Sequence, residues 1–267
     1  MSYNGKRKKN IFDLNSSEPF KLSRSKIDLF WGCPRCFYLD AKLGLRRPDS
    51  YPLTLNIAVD HLLKKEFDIH RANKAPHPMM RSYKIDAIPY DGEGFNKWRE
   101  VDFGRGGIHF LYEPSGFDVY GAIDDVWINK DGELIVVDYK ATAKKDTPTL
   151  EGSLGEQYKR QMEVYQWLLK KNGHEVSKIG YFVYVNGKKD AKAFDEKLEF
   201  DVTIVPCEGN TDWIEDILGK IKECLIGELP APSSECDYCE YRKKAAEAAS
   251  NAIKSRKIKE LENKSLF

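Results

Sequence analysis

The chain has 267 residues, 41% hydrophobic and 12% aromatic, which suits one large domain with a sizeable core and excludes a disordered chain. Basic and acidic residues number 43 and 42, a net charge of +1, so any site for a polyanion must come from local placement of charge. No apolar run approaches the roughly 18 residues of a membrane span, and the basic opening MSYNGKRKKN lacks the apolar stretch of a secretory signal, so the expectation is a cytoplasmic chain with no membrane partner.

Residues 1–20 mix Lys, Arg, Asn and Ser without periodicity and read as a flexible basic arm. In KLSRSKIDLFWGCPRCFYLDAKLG (21–44), Ser25 with Asp28 resembles a capping box, Gly32 stops a short helix and Pro34 suits the first turn of the next. A longer helix is expected over 54–71, with Val59, Leu62, Leu63 and Phe67 on one side. Residues 73–105, rich in Pro, Gly and charge, give no clear element. Three strand-like runs follow at 107–113, 117–128 and 133–140, the last two joined through the hairpin signal NKDG. A helix over 155–171 carries Tyr158, Met162, Tyr165 and Leu169 at helical spacing, and strands are expected at 179–185 and 198–205. The helix at 212–226 has Asp212 and Glu215 as a capping box and Gly227 as its stop. A Pro-rich stretch leads to CDYC, and an Ala/Lys/Glu-rich helix over 241–267 closes the chain. The main domain then spans 21–240, in the α/β or α+β class.

Asp138 and Lys140, two apart on a strand, share one face, with Tyr139 on the other. A three-residue loop, Lys130-Asp131-Gly132, puts Gly where a left-handed residue is needed and pairs Asn129 with Glu133. In that register Asp124 faces Asp138, and Asp125 points to the opposite side with Ile123 and Trp127. Two opposed carboxylates on a buried sheet repel, and a divalent cation such as Mg²⁺ or Mn²⁺ removes that cost. A bound ion can lower the pKa of a water and orient a phosphate, with Lys140 stabilising developing charge. An ordinary cross-strand ion pair of Asp124 with Lys140 is the competing reading.

Of six cysteines, four form two CxxC pairs: Cys33 with Cys36, and Cys236 with Cys239, 200 residues on. In a chain with no export signal these read as one four-thiolate metal site joining the N- and C-terminal segments, against the plainer reading of two pairs of buried thiols. Cys224 falls in the apolar stripe Ile214, Ile217, Ile221 and Leu225, and Cys207 has no partner by spacing.

GAID at 121–124, VVDYK at 136–140 and QMEVY at 161–165, in that order behind LSRSKIDLFWGCPRCFYL, resemble the PD-(D/E)XK nuclease superfamily and, within it, the RecB-like branch. The resemblance covers about 23–240. It implies a restriction-endonuclease-like fold, a central mixed β-sheet flanked by helices. It also implies Asp124 and Asp138 as metal ligands, Lys140 as catalytic lysine, and Gln161 with Tyr165 as residues that position DNA. Members with activity usually carry a metal-binding His in a G-x-x-[VI]-H stretch. Here Asp60 occupies that register, and His61, one position on and about 100° around the helix, is the alternative ligand. For the four cysteines the resemblance implies a 4Fe–4S cluster, although one expected C-terminal Cys is missing and Cys36 would replace it. By chemistry alone four thiolates also suit Zn²⁺. Lys144, Lys145, Lys159 and Arg160 can contact phosphates or simply be solvated.

The expectation is a Mg²⁺- or Mn²⁺-dependent DNA nuclease, by resemblance an exonuclease on single-stranded ends in repair, recombination or CRISPR adaptation. A separate helicase or CRISPR adaptation proteins would be partners. Two other classes stay open: a nucleic-acid-binding or adaptor module that has lost cleavage, and a zinc-stapled scaffold.

Overall fold

The computed structural model describes residues 6–48, 51–102 and 105–264, with side chains of the last helix described as far as residue 255. The chain divides into a larger unit, Asn15–Asp28 with Ser50–Lys222, and a smaller one, Met1–Leu14, Leu29–Asp49 and Glu223–Phe267.

The larger unit holds two mixed sheets. In the first, β1 (Phe20–Ser23) pairs parallel with β4 (Phe117–Gly121), and β3 (Ile108–Tyr112) pairs antiparallel on the other side of β4. The second has the order β2-β5-β6-β7-β8, from Ala87–Pro89, Asp125–Asn129, Leu134–Thr142, Ile179–Gly187 and Phe200–Glu208. Its β6/β7 pair is parallel and the rest antiparallel, as a crossover through a helix requires between parallel neighbours. That helix is α6 (Gly152–Lys171), and the mixed sheet flanked by helices matches the expected fold class.

The run 117–128, expected as one strand, is two. It leaves the first sheet at Gly121 and enters the second at Asp125, so Ala122, Ile123 and Asp124 form a corner between sheets. The hairpin register is as expected: Asp125 faces Val137 and Val126 faces Val136. Gly132, at φ +83°, closes the turn, and the Asn129 N–H donates to Glu133 O at 3.1 Å.

Helix α3 (Thr54–Ala72) lies against β2 and β6. Its buried stripe runs Leu63, Phe67 and Arg71, with Val59 packed alongside, while Leu62, expected in the stripe, is exposed. Phe67 stacks on Trp127 at 5.5 Å between centroids, and Trp127 on Tyr181 at 5.6 Å. Between 73 and 105, a stretch whose Pro, Gly and charge show no clear element, lie α4 (Pro78–Ser82), β2 and α5 (Phe95–Trp98). Both expected capping boxes dissolve. Asp28 in α1 (Arg24–Gly32) accepts from Gln157 and Arg160, and Glu215 in α7 (Trp213–Ile226) pairs with Lys171 and accepts from the Tyr112 hydroxyl. A long-range partner outbids the local one for each carboxylate.

In the smaller unit, α2 (Pro34–Ala41) has Cys33 as N-cap residue and Pro34 at its first position. From the basic arm, Arg7 pairs with Asp40 at 3.0 Å, and the Phe12 N–H donates to Ala41 O at 2.8 Å. The closing helix, α8, spans Asp237–Lys264. Cys224, expected in the core, is half-buried.

Asp125 is fully buried against α3. Its carboxylate pairs with the Arg71 guanidinium and accepts from the Tyr139 hydroxyl at 2.5 Å and the Val126 N–H at 2.8 Å. Arg71 in turn lies over the Phe95 ring at 4.1 Å. Removing one partner of a buried pair strands the other charge. Asp125→Ala is therefore expected to lower unfolding free energy by about 3–5 kcal/mol, read from urea melts, and Arg71→Ala by a similar amount.

Candidate active site and thiolate centre

Strand alternation on β6 places Asp138 and Lys140 on the face toward α6 and Tyr139 on the face toward α3. Extending the hairpin register by one residue sets Asp124 opposite Asp138, and the Asp124 Oδ2 accepts the Tyr139 N–H at 3.1 Å. The two carboxylates differ in environment. Asp124 is partly exposed, whereas Asp138 is fully buried.

Lys140 makes an ion pair with Asp138, and its Nζ also donates to Gln161 Oε1 at 3.2 Å and lies 4.4 Å from the centroid of the Tyr158 ring. Gln161 Nε2 donates to the Tyr165 hydroxyl at 3.3 Å. Tyr165 is itself buried, its ring against Gly121, where an added Cβ would come within 2.6 Å of Cε1. Gly121, Tyr165, Gln161 and Lys140 thus form one packed line, and it links the three sequence motifs physically.

Burial pushes the Asp138 carboxyl up to about 7; Lys140 opposes the rise and Asp124 adds to it. Burial pulls the Lys140 ammonium down, but Asp138 and Asp124 together hold it above the ordinary lysine value.

Asp60 reaches this cluster from α3. Lys64, one turn on, donates to Asp60 at 2.9 Å and to Asp124 at 3.1 Å, bridging the two acids. Burial and the Asp124 charge raise the Asp60 pKa. His61 is exposed and takes no part in the cluster. Lys64 was absent from the expected site, although its spacing of four from Asp60 on the same helix was a readable signal. Arg24 was missed as well; its charge acts on both Asp138 and Tyr165. Of the expected phosphate contacts, Lys159 pairs with Glu156, Arg160 pairs with Asp28, and Lys144 and Lys145 are exposed.

The donor set fits a hard divalent cation on one specific ground. Apart from the Lys140 ion pair, neither buried oxygen of Asp138 accepts a hydrogen bond from a described residue, and an unsatisfied buried carboxylate is costly. Asp60, Asp124 and Asp138 do not converge at ligand distances; two ammonium groups stand among them.

One set of three or more ligand-type side chains does converge among the described residues, and it is in the smaller unit. Cys33, Cys36, Cys236 and Cys239 are buried, with all four sulfurs within 4.8 Å of one another. Arg47 donates to Cys236 Sγ at 3.3 Å and Arg242 to Cys239 Sγ at 3.4 Å. The four are free of disulfide bonds, as are Cys207 and Cys224.

Together these features define a mixed α/β protein with acid groups and a lysine gathered at a sheet hairpin, and with four paired thiols in a second unit. A family model of the PD-(D/E)XK nuclease superfamily matches residues 54–243, and the chain belongs to that superfamily. Its nucleases act on nucleic acid with divalent metals. No curated protein matches the chain. Among the described residues, no helix is long and apolar enough to cross a membrane.

The raised Asp138 pKa has a thermodynamic consequence. Between about pH 4, where an unfolded aspartate titrates, and about 7, the folded protein holds a proton that the unfolded chain releases. Without metal, this contribution is fully present below pH 4, is lost as pH rises through 7, and is flat above. Asp138→Asn removes it, so in EDTA the variant's stability relative to wild type should rise between pH 5 and pH 8, read from urea midpoints.

Proposed function

We propose that the protein is a divalent-metal-dependent DNA nuclease that hydrolyses phosphodiester bonds at single-stranded or free ends. The observation that carries this reading is Asp138, a fully buried carboxylate beside Asp124 whose charge is only partly compensated by Lys140. Asp124 and Asp138 would hold Mg²⁺ or Mn²⁺, with Asp60 as a third oxygen ligand once Lys64 yields it. The ion supplies Lewis acidity toward a phosphoryl oxygen and a bound water of lowered pKa.

The chain's own residues do the rest. Lys140 keeps its proton at neutral pH, so it acts by charge, stabilising the negative charge that develops on the phosphate rather than serving as a base. Gln161 fixes the direction of its ammonium, and Tyr165 fixes Gln161, so this pair positions DNA through Lys140. Arg24 adds a further cation whose charge acts on the same carboxylate.

A cavity of about 260 Å³ opens beside Lys140, walled by Leu53, Ile57, Val59 and Tyr158. Its apolar wall and aromatic ring suit one unstacked base, which a single strand offers and a duplex does not. That favours single-stranded ends. The motif order and the Cys33-Pro34 segment ahead of its aromatic run favour the RecB-like branch, and with it a place in repair, recombination or CRISPR adaptation.

End-labelled single- and double-stranded DNA, with a circular single strand as control, tests the reading in Mn²⁺ or Mg²⁺. Wild type is expected to degrade the linear single strand from an end. Lys140→Ala and Asp124→Ala should each lower the rate about 10²–10³-fold, with thermal melts showing folded protein. Binding of DNA by intact, metal-supplied wild type without cleavage would leave the binding module in its place.

A further inference from the structure

We infer that the four thiolates hold one tetrahedrally coordinated metal ion, zinc, in place of the 4Fe–4S cluster that the sequence resemblance implies. The inference goes beyond the hydrolytic reading and does not depend on it.

The spacing of the sulfurs decides between the two. Cys36 Sγ lies 3.6 Å from both Cys236 and Cys239, and Cys33 Sγ lies 3.8 Å from Cys239. Four sulfurs each about 2.3 Å from a single zinc stand ~3.8 Å apart at tetrahedral angles. The observed separations match that edge, and none of the six exceeds 4.8 Å. A cubane cannot fit inside this spread. Each of its thiolates binds a different iron, so the iron–iron edge and the outward reach of two Fe–S bonds both separate any two sulfurs.

The local backbone gives the same answer from another direction. Both pairs occupy the same position on a helix: Cys33 immediately precedes α2 and Cys236 immediately precedes α8, while Cys36 and Cys239 fall in the first turns. The repeated turn places the two sulfurs of each pair around one point, and the N-terminal ends of both helices favour negative charge there. Four thiolates around a divalent ion carry a net charge of −2, and Arg47 and Arg242, each donating to a sulfur, supply the compensating +2. Arg47 is fixed in turn by its stacking over Tyr238, 4.4 Å from the ring centroid. A soft, closed, fully protein-ligated centre of this kind is a structural zinc site, with no open position for a substrate.

The test is metal and sulfide analysis of the full chain, expressed with both iron and zinc available and purified without oxygen or chelator. About one zinc per chain, with neither acid-labile sulfide nor a visible iron–sulfur absorption band, is expected. About four irons with matching sulfide would overturn the inference. Because a Cys36→Ser variant can fail to fold, the second measurement is on wild type: zinc is removed, and Co²⁺ is titrated back anaerobically. Saturation at about one equivalent with the intense visible bands of a tetrahedral thiolate complex supports the single-ion centre. Absence of those bands, or their growth over several equivalents, refutes it.

Discussion

A single hairpin buries a carboxylate on each of its faces, and the imbalance between those two burials organises the larger unit. On the α3 side, Asp125 has a guanidinium, a phenol and a backbone N–H directed at it. On the α6 side, Asp138 is equally buried but has a single ion pair, with the Lys140 ammonium, no further hydrogen-bond donor among the described residues, and only the more remote charge of Arg24 besides. The first carboxylate is satisfied and belongs to the framework. The second retains an excess of negative charge that burial makes expensive. Both were set by the same arithmetic, since a register slip of one residue would exchange the faces of every side chain on the strand.

The fully paired side makes the under-paired side sustainable. Arg71 ties α3 to Asp125, and Phe67 in the same stripe packs on Trp127 of the hairpin, so α3 is held where Lys64 bridges Asp60 and Asp124. From the opposite face, α6 carries Gln161 to the Lys140 ammonium, and it can approach closely because residue 121 has no Cβ. The glycine of one motif, the tyrosine of another and the lysine of a third are thus parts of one packing problem. Their order along the chain follows from a strand, a hairpin and a crossover helix laid against the same sheet.

This explains what the sequence made legible. The hairpin register follows from turn chemistry at Gly132 and strand alternation, both local rules, and so the sequence alone groups Asp124, Asp138 and Lys140. What escaped was decided over distance. The corner at residues 122–124 interrupts an apolar run that has no breaker beyond Gly121, because the chain changes sheets there. The strands β1 and β2 are four and three residues long, too short to show a period, and exist through pairing with β4 and β5. Asp28 and Glu215 read as helix caps but are claimed by partners far along the chain. The cysteine spacing announced that the two pairs meet, yet the guest depends on sulfur separations that spacing along the chain does not encode.

The displaced motif histidine is best understood through charge. Asp60 stands where a neutral imidazole was expected, and His61 is exposed, so the cluster gains a negative charge; Lys64, one turn further along the same helix, supplies a positive one. With all five groups ionised, three carboxylates (Asp60, Asp124, Asp138) and two ammoniums (Lys64, Lys140) leave a net charge of −1, and Arg24, whose charge also acts on Asp138, brings the group to neutrality. The acid at position 60 and the lysine at position 64 are therefore a compensated pair: the ammonium one turn along α3 bridges Asp60 and Asp124, and together the two residues leave the charge balance of the group where a neutral histidine would have left it.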